Sequence, residues 1–245
     1  MKTSVFLGIM LGCIVLSFSS CSDDDGYSLG KQWISLATVE PLGEHSYYLT
    51  RDDGSTLGIV ATNFPYYRPK EDQRVLVNYT LLSDSASGYT HLAKVNGIRN
   101  ILTKNIFEMT SQNEDSIGHD PVKIHKLWIG DHYMNFYFGY NTSTPTTHYI
   151  NLVYDTTQEP AADEKVHLEF RHNAKGDGSK YGVDGFAAFD LKPYWTEGKD
   201  SVQFVIDVKD FDGDKTYNIT YRFNKSETFN LDESALENIK DGQYE

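Results

Sequence analysis

The sequence predicts an all-β protein built as two domains, and three observations predict it. From Trp33 onward, runs of β-branched and aromatic residues alternate between apolar and polar with the period of two that a half-buried strand requires. Turn-forming dipeptides separate these runs roughly every 8 to 12 residues, the rhythm of antiparallel sheets. A polar stretch, Ser111-Gln112-Asn113-Glu114-Asp115-Ser116, parts the first five runs from the seven that follow.

The first five runs are 33–40, 45–50, 56–61, 73–82 and 89–103. Between the second and third, Asp52-Asp53-Gly54 reads as a tight hairpin, because glycine tolerates the positive φ of primed turns. Pro65, Pro69 and the charged Lys70-Glu71-Asp72 form a loop before Val75-Leu76-Val77, which reads as buried strand core. Asn96-Gly97 interrupts the fifth run as a turn or bulge. Five strands in so short a span fit a closed five-stranded barrel of the OB type, assigned to residues 33–104.

Residues 105–121 read as a linker. Seven further runs follow at 122–129, 132–139, 147–154, 165–172, 185–191, 201–209 and 215–223. The second of these puts Tyr133, Asn135, Tyr137 and Gly139 on one face and Met134, Phe136 and Phe138 on the other. Seven antiparallel strands predict an immunoglobulin-like β-sandwich over 122–223. The acidic tail, 224–245, holds one candidate helix at 231–239, with Asp232 or Ser234 as its cap.

Ahead of the barrel, residues 1–20 have the layout of a secretory signal: Lys2, an apolar stretch from Val5 to Phe18, then the small residues Ser19-Ser20. The apolar stretch is too short to span a bilayer and ends in serines. Cleavage just before Cys21 is the lipoprotein pattern, in which the new terminal thiol is acylated and anchors the chain to a membrane. Cys13 is a poorer site, since cleavage there leaves a short apolar region and keeps an apolar tail on the mature chain. Residues 21–32 form an acidic tether. Its Ser22-Asp23-Asp24-Asp25 resembles the surface-export signal of lipoproteins in some Gram-negative anaerobes; the alternative is a solvated spacer. These readings place the protein in the outer membrane as a lipoprotein, on the periplasmic face or the cell surface, with the surface favoured.

With Cys13 removed and Cys21 acylated, the mature chain has no thiol for a nucleophile, a disulfide or a thiolate metal site. The chain carries 22 basic and 35 acidic side chains, and removal of Lys2 leaves 21 against 35, a mature charge of −14. Residues 31–104 hold 8 basic and 7 acidic side chains and 105–245 hold 13 and 25, so the excess lies in the second half. Without a basic track, nucleic acid is not an expected partner. An anionic membrane surface is disfavoured by the same sign.

Several segments form one ordered set: Cys21 with Ser22-Asp23-Asp24-Asp25, the hairpin from Tyr47 through Asp52-Asp53-Gly54 to Leu57, Arg74-Val75-Leu76-Val77-Asn78-Tyr79, and Lys94-Val95-Asn96-Gly97-Ile98. Asp115-Ser116-Ile117-Gly118-His119-Asp120-Pro121-Val122 and Leu127-Trp128-Ile129-Gly130-Asp131 complete it. Together these segments resemble one family, the NigD-like lipoproteins. The resemblance runs from residue 21 to about residue 223 and implies an N-terminal OB domain and a C-terminal β-sandwich. About function it implies only an association with a bacteriocin operon; it supplies no catalytic residues.

Candidate chemistry is sparse. Gly26-Tyr27-Ser28-Leu29-Gly30 matches the nucleophile elbow by letter, but the elbow works only between a strand and a helix, and here it follows an acidic tether. Asp210-Phe211-Asp212-Gly213-Asp214 begins like a calcium loop, yet its twelfth position is Tyr221 rather than glutamate, and Asp212-Gly213 reads as a hairpin turn. His119, His125, His132, His148 and His172 show no ligand spacing, so no metal or other cofactor is expected. His167, Glu169 and Arg171 share one strand face, where an acid and a base could meet a substrate or simply form charge pairs.

The 17 tyrosines and 13 phenylalanines give the best hint of binding. Tyr47, Tyr66, Tyr67, Tyr89 and His91 fall near strand ends or loops of the barrel, where OB domains present aromatics to ligands, and stacking on a sugar needs no positive charge. Half-buried sheets also use tyrosine in this way. The expectation is a membrane-anchored, non-catalytic interaction or accessory protein. It would be held to the membrane through Cys21, with an envelope protein or a polysaccharide as partner. The alternatives are a carbohydrate-binding surface lipoprotein and a hydrolase acting through His167 and Glu169.

Overall fold

A computed structural model of the chain describes residues 27–159, 161–223, 225, 230–231 and 244–245. The signal stretch, Cys21 and Ser22-Asp23-Asp24-Asp25 lie outside them.

The first five strands are β1 (Trp33–Pro41), β2 (Tyr47–Arg51), β3 (Thr56–Thr62), β4 (Arg74–Ser83) and β5 (His91–Asn100). They pair in the order β1-β2-β3-β5-β4, and β4 pairs back to β1, which closes the barrel. Its interior is the alternating set Ala37, Val39, Tyr47, Leu49, Leu57, Val75, Val77, Tyr79, Ala93 and Val95. The Asp52-Asp53-Gly54 hairpin forms, but not with the primed turn expected: Asp52 and Asp53 keep negative φ, and the three-residue turn is closed by Gly54 at φ 78°, its N–H donating to the Arg51 carbonyl at 2.9 Å. Asn96 is the bulge: Asn78 pairs with Gly97 and Tyr79 with Val95, so Asn96 is left over in the ladder.

The second domain begins earlier than the sequence suggested. β6 (Leu102–Asn105), which the alternation merged with the end of the fifth barrel run, pairs with a strand of the sandwich. The expected linker 105–121 holds β7 (Phe107–Met109) and the one-turn helix α1 (Glu114–Ile117). Then come β8 (Lys123–Gly130), β9 (Tyr133–Thr142), β10 (Tyr149–Asp155), β11 (Val166–Asn173), β12 (Tyr181–Asp190), β13 (Ser201–Asp210) and β14 (Gly213–Arg222). One sheet runs β14-β13-β11-β10-β7 and the other β6-β12-β9-β8. Among the described residues the sandwich thus has nine strands where seven antiparallel ones were expected.

Three of its pairings are parallel: β7 with β10, β6 with β12, and β11 with β13. The last has a simple cause. β12 is laid in the opposite sheet, so the chain returns beside β11 in the same direction. Between the sheets Phe136, Phe138, Phe170, Phe189, Phe204 and their neighbours form the core, with the Phe136 and Phe170 rings meeting at a tilt, 4.5 Å between centres.

Two described pieces of the tail touch the domains. Leu231 and Asn230, β15 (Asn230–Leu231), pair with Ile34 and Ser35 at the start of β1. The rest of the expected helix at 231–239 lies outside the described residues. At the other end, Glu245 accepts from the Ile150 N–H and donates to the His148 carbonyl, each at 2.9 Å, which extends the edge of β10 beyond the short β7. The Tyr244 phenol donates to the Phe186 carbonyl (3.0 Å) and accepts its N–H (2.8 Å), on the stretch of β12 that β6 does not reach. Gly185 makes room for it: a Cβ there would lie 2.6 Å from the Tyr244 ring.

Candidate functional site

Which surfaces are available is decided by how the barrel meets the sandwich. The outer face of β1 and β4 presents Ile34, Leu36 and Leu76, and with Ile101 these pack on Trp128, Tyr133, Phe186 and Ala188 of the four-stranded sheet. The β9 face carrying Tyr133, Asn135 and Tyr137 therefore meets the barrel, while Met134, Phe136 and Phe138 face the sandwich core. Inside the junction the Arg74 guanidinium lies 2.6 Å from the Asp52 carboxylate, with both side chains buried. Arg74 also donates to Thr38 Oγ1 and Asn135 Oδ1, each at 3.2 Å, and faces the Tyr133 ring at 5.0 Å. The Trp128 indole beside it also favours the charged form of this carboxylate. Burial pushes the Asp52 carboxyl above the usual range while Arg74 pulls the other way.

This contact removes one side of the barrel from solvent and leaves its ends and the β2–β3 side. The five barrel candidates are divided by the structure. Tyr47 is a core residue, 4% exposed, with its ring 5.2 Å from that of Tyr67. Tyr67 is half-buried; its phenol donates to Asn100 Oδ1 at 2.7 Å, and burial pushes its pKa up to about 12. Tyr89 folds over Gly58, where a Cβ would lie 2.4 Å from its ring, and packs on Tyr48 at 5.4 Å. His91 is 3.9 Å from the Asp84 carboxylate in the same loop. Only Tyr66, 84% exposed, is free for a partner in the way the sequence suggested.

Tyr66 has companions that the sequence reading missed. Its ring meets His45 edge-on at 6.4 Å, and Leu42 (60%) and Phe64 (42%) stand exposed in the same two loops, β1–β2 and β3–β4. Both loops lie at the barrel end where β1 and β3 finish. Glu44, Arg68, Lys70 and Glu71 are exposed along the same loops and supply charges of both signs. The run Phe64-Pro65-Tyr66-Tyr67 was the available signal: an apolar run inside a proline-bounded loop has no strand to bury it.

The acid and base groups are already engaged. His167 Nε2 is 3.0 Å from Asp163, and the Glu169 carboxylate is 2.6 Å from Arg171. Burial, with Asp155 and Asp207 nearby, raises the Glu169 carboxyl, and Arg171 opposes the shift. Both residues line a cleft of about 250 Å³ with Asp155, Lys165 and Asp207, rather than a flat sheet face. Asp210 is bound by Lys215 at 2.6 Å, beside the two-residue turn Phe211-Asp212 that joins β13 to β14. Ser28 sits in a turn before β1, its hydroxyl accepting the Gly30 N–H. Among the described residues no three histidine, cysteine or carboxylate groups converge to hold a metal.

A buried relay also escaped the sequence reading. His172 Nδ1 faces the Pro121 carbonyl at 3.1 Å, which only accepts, so the hydrogen-bond network assigns the proton to that nitrogen. Burial pushes His172 down to about 4, leaving its Nε2 to accept from His148 Nδ1 at 2.8 Å. His148 Nε2 in turn lies 3.2 Å from Asp177. With His148 fully buried and His172 2% exposed, this chain ties loops together and meets no substrate.

Comparison with known domain families matches residues 36–101 to the NigD-like N-terminal OB domain and residues 105–221 to the NigD-like C-terminal beta sandwich domain. The chain belongs to the NigD-like family. A solved structure from Parabacteroides distasonis, named a putative toxin related protein, is 40% identical at TM-score 0.69, covering 79% of this chain and 95% of that one. A Bacteroides vulgatus protein of unknown function is 28% identical at TM-score 0.74, covering 86% and 100%. A NigD-like immunity protein from Bacteroides caccae shares the fold at 20% identity and TM-score 0.61, covering 80% and 99%. A search of curated protein sequences gave no match. The family motifs now have a physical meaning: Asp52, Arg74, Trp128 and Gly130 come from three of them and meet at the junction. A Cβ on Gly130 would lie 2.0 Å from Asp52 Oδ2.

Proposed function

We propose that the protein is an exported envelope lipoprotein, acylated at Cys21 with Ser22-Asp23-Asp24-Asp25 as its export signal, that acts without catalysis as an interaction partner of another envelope protein. The observation that carries this reading is that Leu42, Phe64 and Tyr66 all stand exposed on the two loops of one barrel end. Apolar centres with a charged rim mark protein contacts. The test is in-cell crosslinking and affinity capture of the tagged protein beside a Cys21→Ala variant. One dominant protein partner, lost in the variant, supports the reading; capture of no protein by either form overturns it.

A second reading, a carbohydrate-binding barrel, rests on Tyr66 alone, since Tyr47 and Tyr67 are committed to the core and its cap. Its mark is glycan-induced quenching of tyrosine or tryptophan fluorescence that Tyr66→Ala abolishes. No response across a polysaccharide panel removes it.

A further inference from the structure

We infer that the segment from Tyr27 to Trp33 rests on the lipid surface that holds Cys21, so that the protein stands on the bilayer at one end of its barrel. This rests on acylation of Cys21. Five residues lie between Cys21 and Tyr27, a reach of at most about 22 Å. At Tyr27 the chain is already fixed to the barrel, because its phenol donates to the Asp84 carboxylate in the β4–β5 loop. The anchor therefore pulls on one defined end of the molecule.

That end carries side chains suited to a headgroup region. The Lys31 N–H donates to the Ser28 carbonyl at 3.0 Å, closing a turn that holds Leu29 at its apex, 79% exposed. Tyr27 and Trp33 flank it at 46% and 39% exposure. The Lys31 ammonium lies 4.7 Å from the centre of the Trp33 ring. An indole with a lysine beside it matches the interface, where the ring sits at headgroup depth and the ammonium reaches phosphate. Asp53 and Asp84 at this end, with the acidic tether, oppose an anionic surface, so the surface expected is zwitterionic.

Strand direction then sets what faces away. β1 runs from Trp33 to Pro41 over nine residues, about 30 Å of strand, and delivers Leu42 to the opposite end, the one whose loops also carry Phe64 and Tyr66. One end of the barrel lies on lipid and the other meets the partner.

The test uses the acylated full chain in phosphatidylcholine vesicles whose acyl chains are brominated near the headgroup. Three tryptophans are present: Trp33 at this end, Trp128 buried in the junction and Trp195, 56% exposed, on the sandwich. In a Trp195→Phe variant the bromolipid should remove most of the Trp33 emission, and Leu29→Ser should weaken that loss. In a Trp33→Phe variant the remaining emission should be unaffected. Vesicle-bound protein in which Trp33 is quenched no more than Trp195 overturns the orientation and leaves the anchor standing. Mass spectrometry that finds Cys21 unmodified, with protein that does not float with vesicles, overturns anchor and orientation together.

Discussion

The Arg74 guanidinium and the Asp52 carboxylate form a 2.6 Å ion pair with no solvent exposure beyond 1%, at the seam between the barrel and the sandwich. Removing charges from water is costly, and their attraction offsets that cost only while both remain. Asp52→Ala should therefore destabilise by about 3–5 kcal/mol, because a buried guanidinium loses its counterion. Asp52→Ala with Arg74→Met should cost much less than the sum of the single changes. Urea unfolding of the three variants measures this; strict additivity would mean the pair is not coupled.

The relay through His172 gives stability a pH dependence. An unfolded histidine titrates near 6.5 and His172 near 4 when folded, so between those values the unfolded chain binds more protons. The contribution is complete above about pH 6.5 and is lost as pH falls toward 4; the gap is worth roughly 3 kcal/mol. Urea midpoints from about pH 7 to about pH 4.5 should fall, and His172→Gln should flatten the slope. An unchanged slope would remove His172 as the cause.

Tyr244 should matter although it lies beyond the family match. Tyr244→Phe deletes the phenol that both donates to and accepts from Phe186, an expected loss of about 1–3 kcal/mol. Gly185→Ala forces a methyl against the same ring, about 1–3 kcal/mol by overpacking. Since both act at one contact, the double variant should fall short of the sum in thermal unfolding.

Much of the fold was legible because its signals are local. The two faces of β9, the Asp52-Asp53-Gly54 turn and the Asn96 bulge each follow from a short stretch of residues. β6 and β7 were not legible, since strands of three and four residues carry too little alternation to separate from a linker. In the sequence Asp52 is only a turn residue, because its value depends on Arg74, Trp128 and Gly130 from distant strands. Of the barrel aromatics, Tyr47 and Tyr66 look alike as letters; only the closed barrel decides that one is inside and the other out.

That division predicts opposite behaviour for neighbours. Tyr66→Ala should leave stability within about 0.5 kcal/mol and weaken partner capture. Tyr67→Ala should destabilise by about 2 kcal/mol through lost packing on Tyr47. Thermal unfolding and capture, run on both variants, separate the roles.

A protein in the envelope is the proposed partner of the barrel end bearing Leu42, Phe64 and Tyr66. The most direct test of this contact is in-cell photocrosslinking from a probe at position 66, compared with a probe at position 218 on the sandwich strand β14. One discrete protein adduct is expected from position 66 and none from position 218. Adducts from position 218 alone, or no protein adduct from position 66, would contradict it.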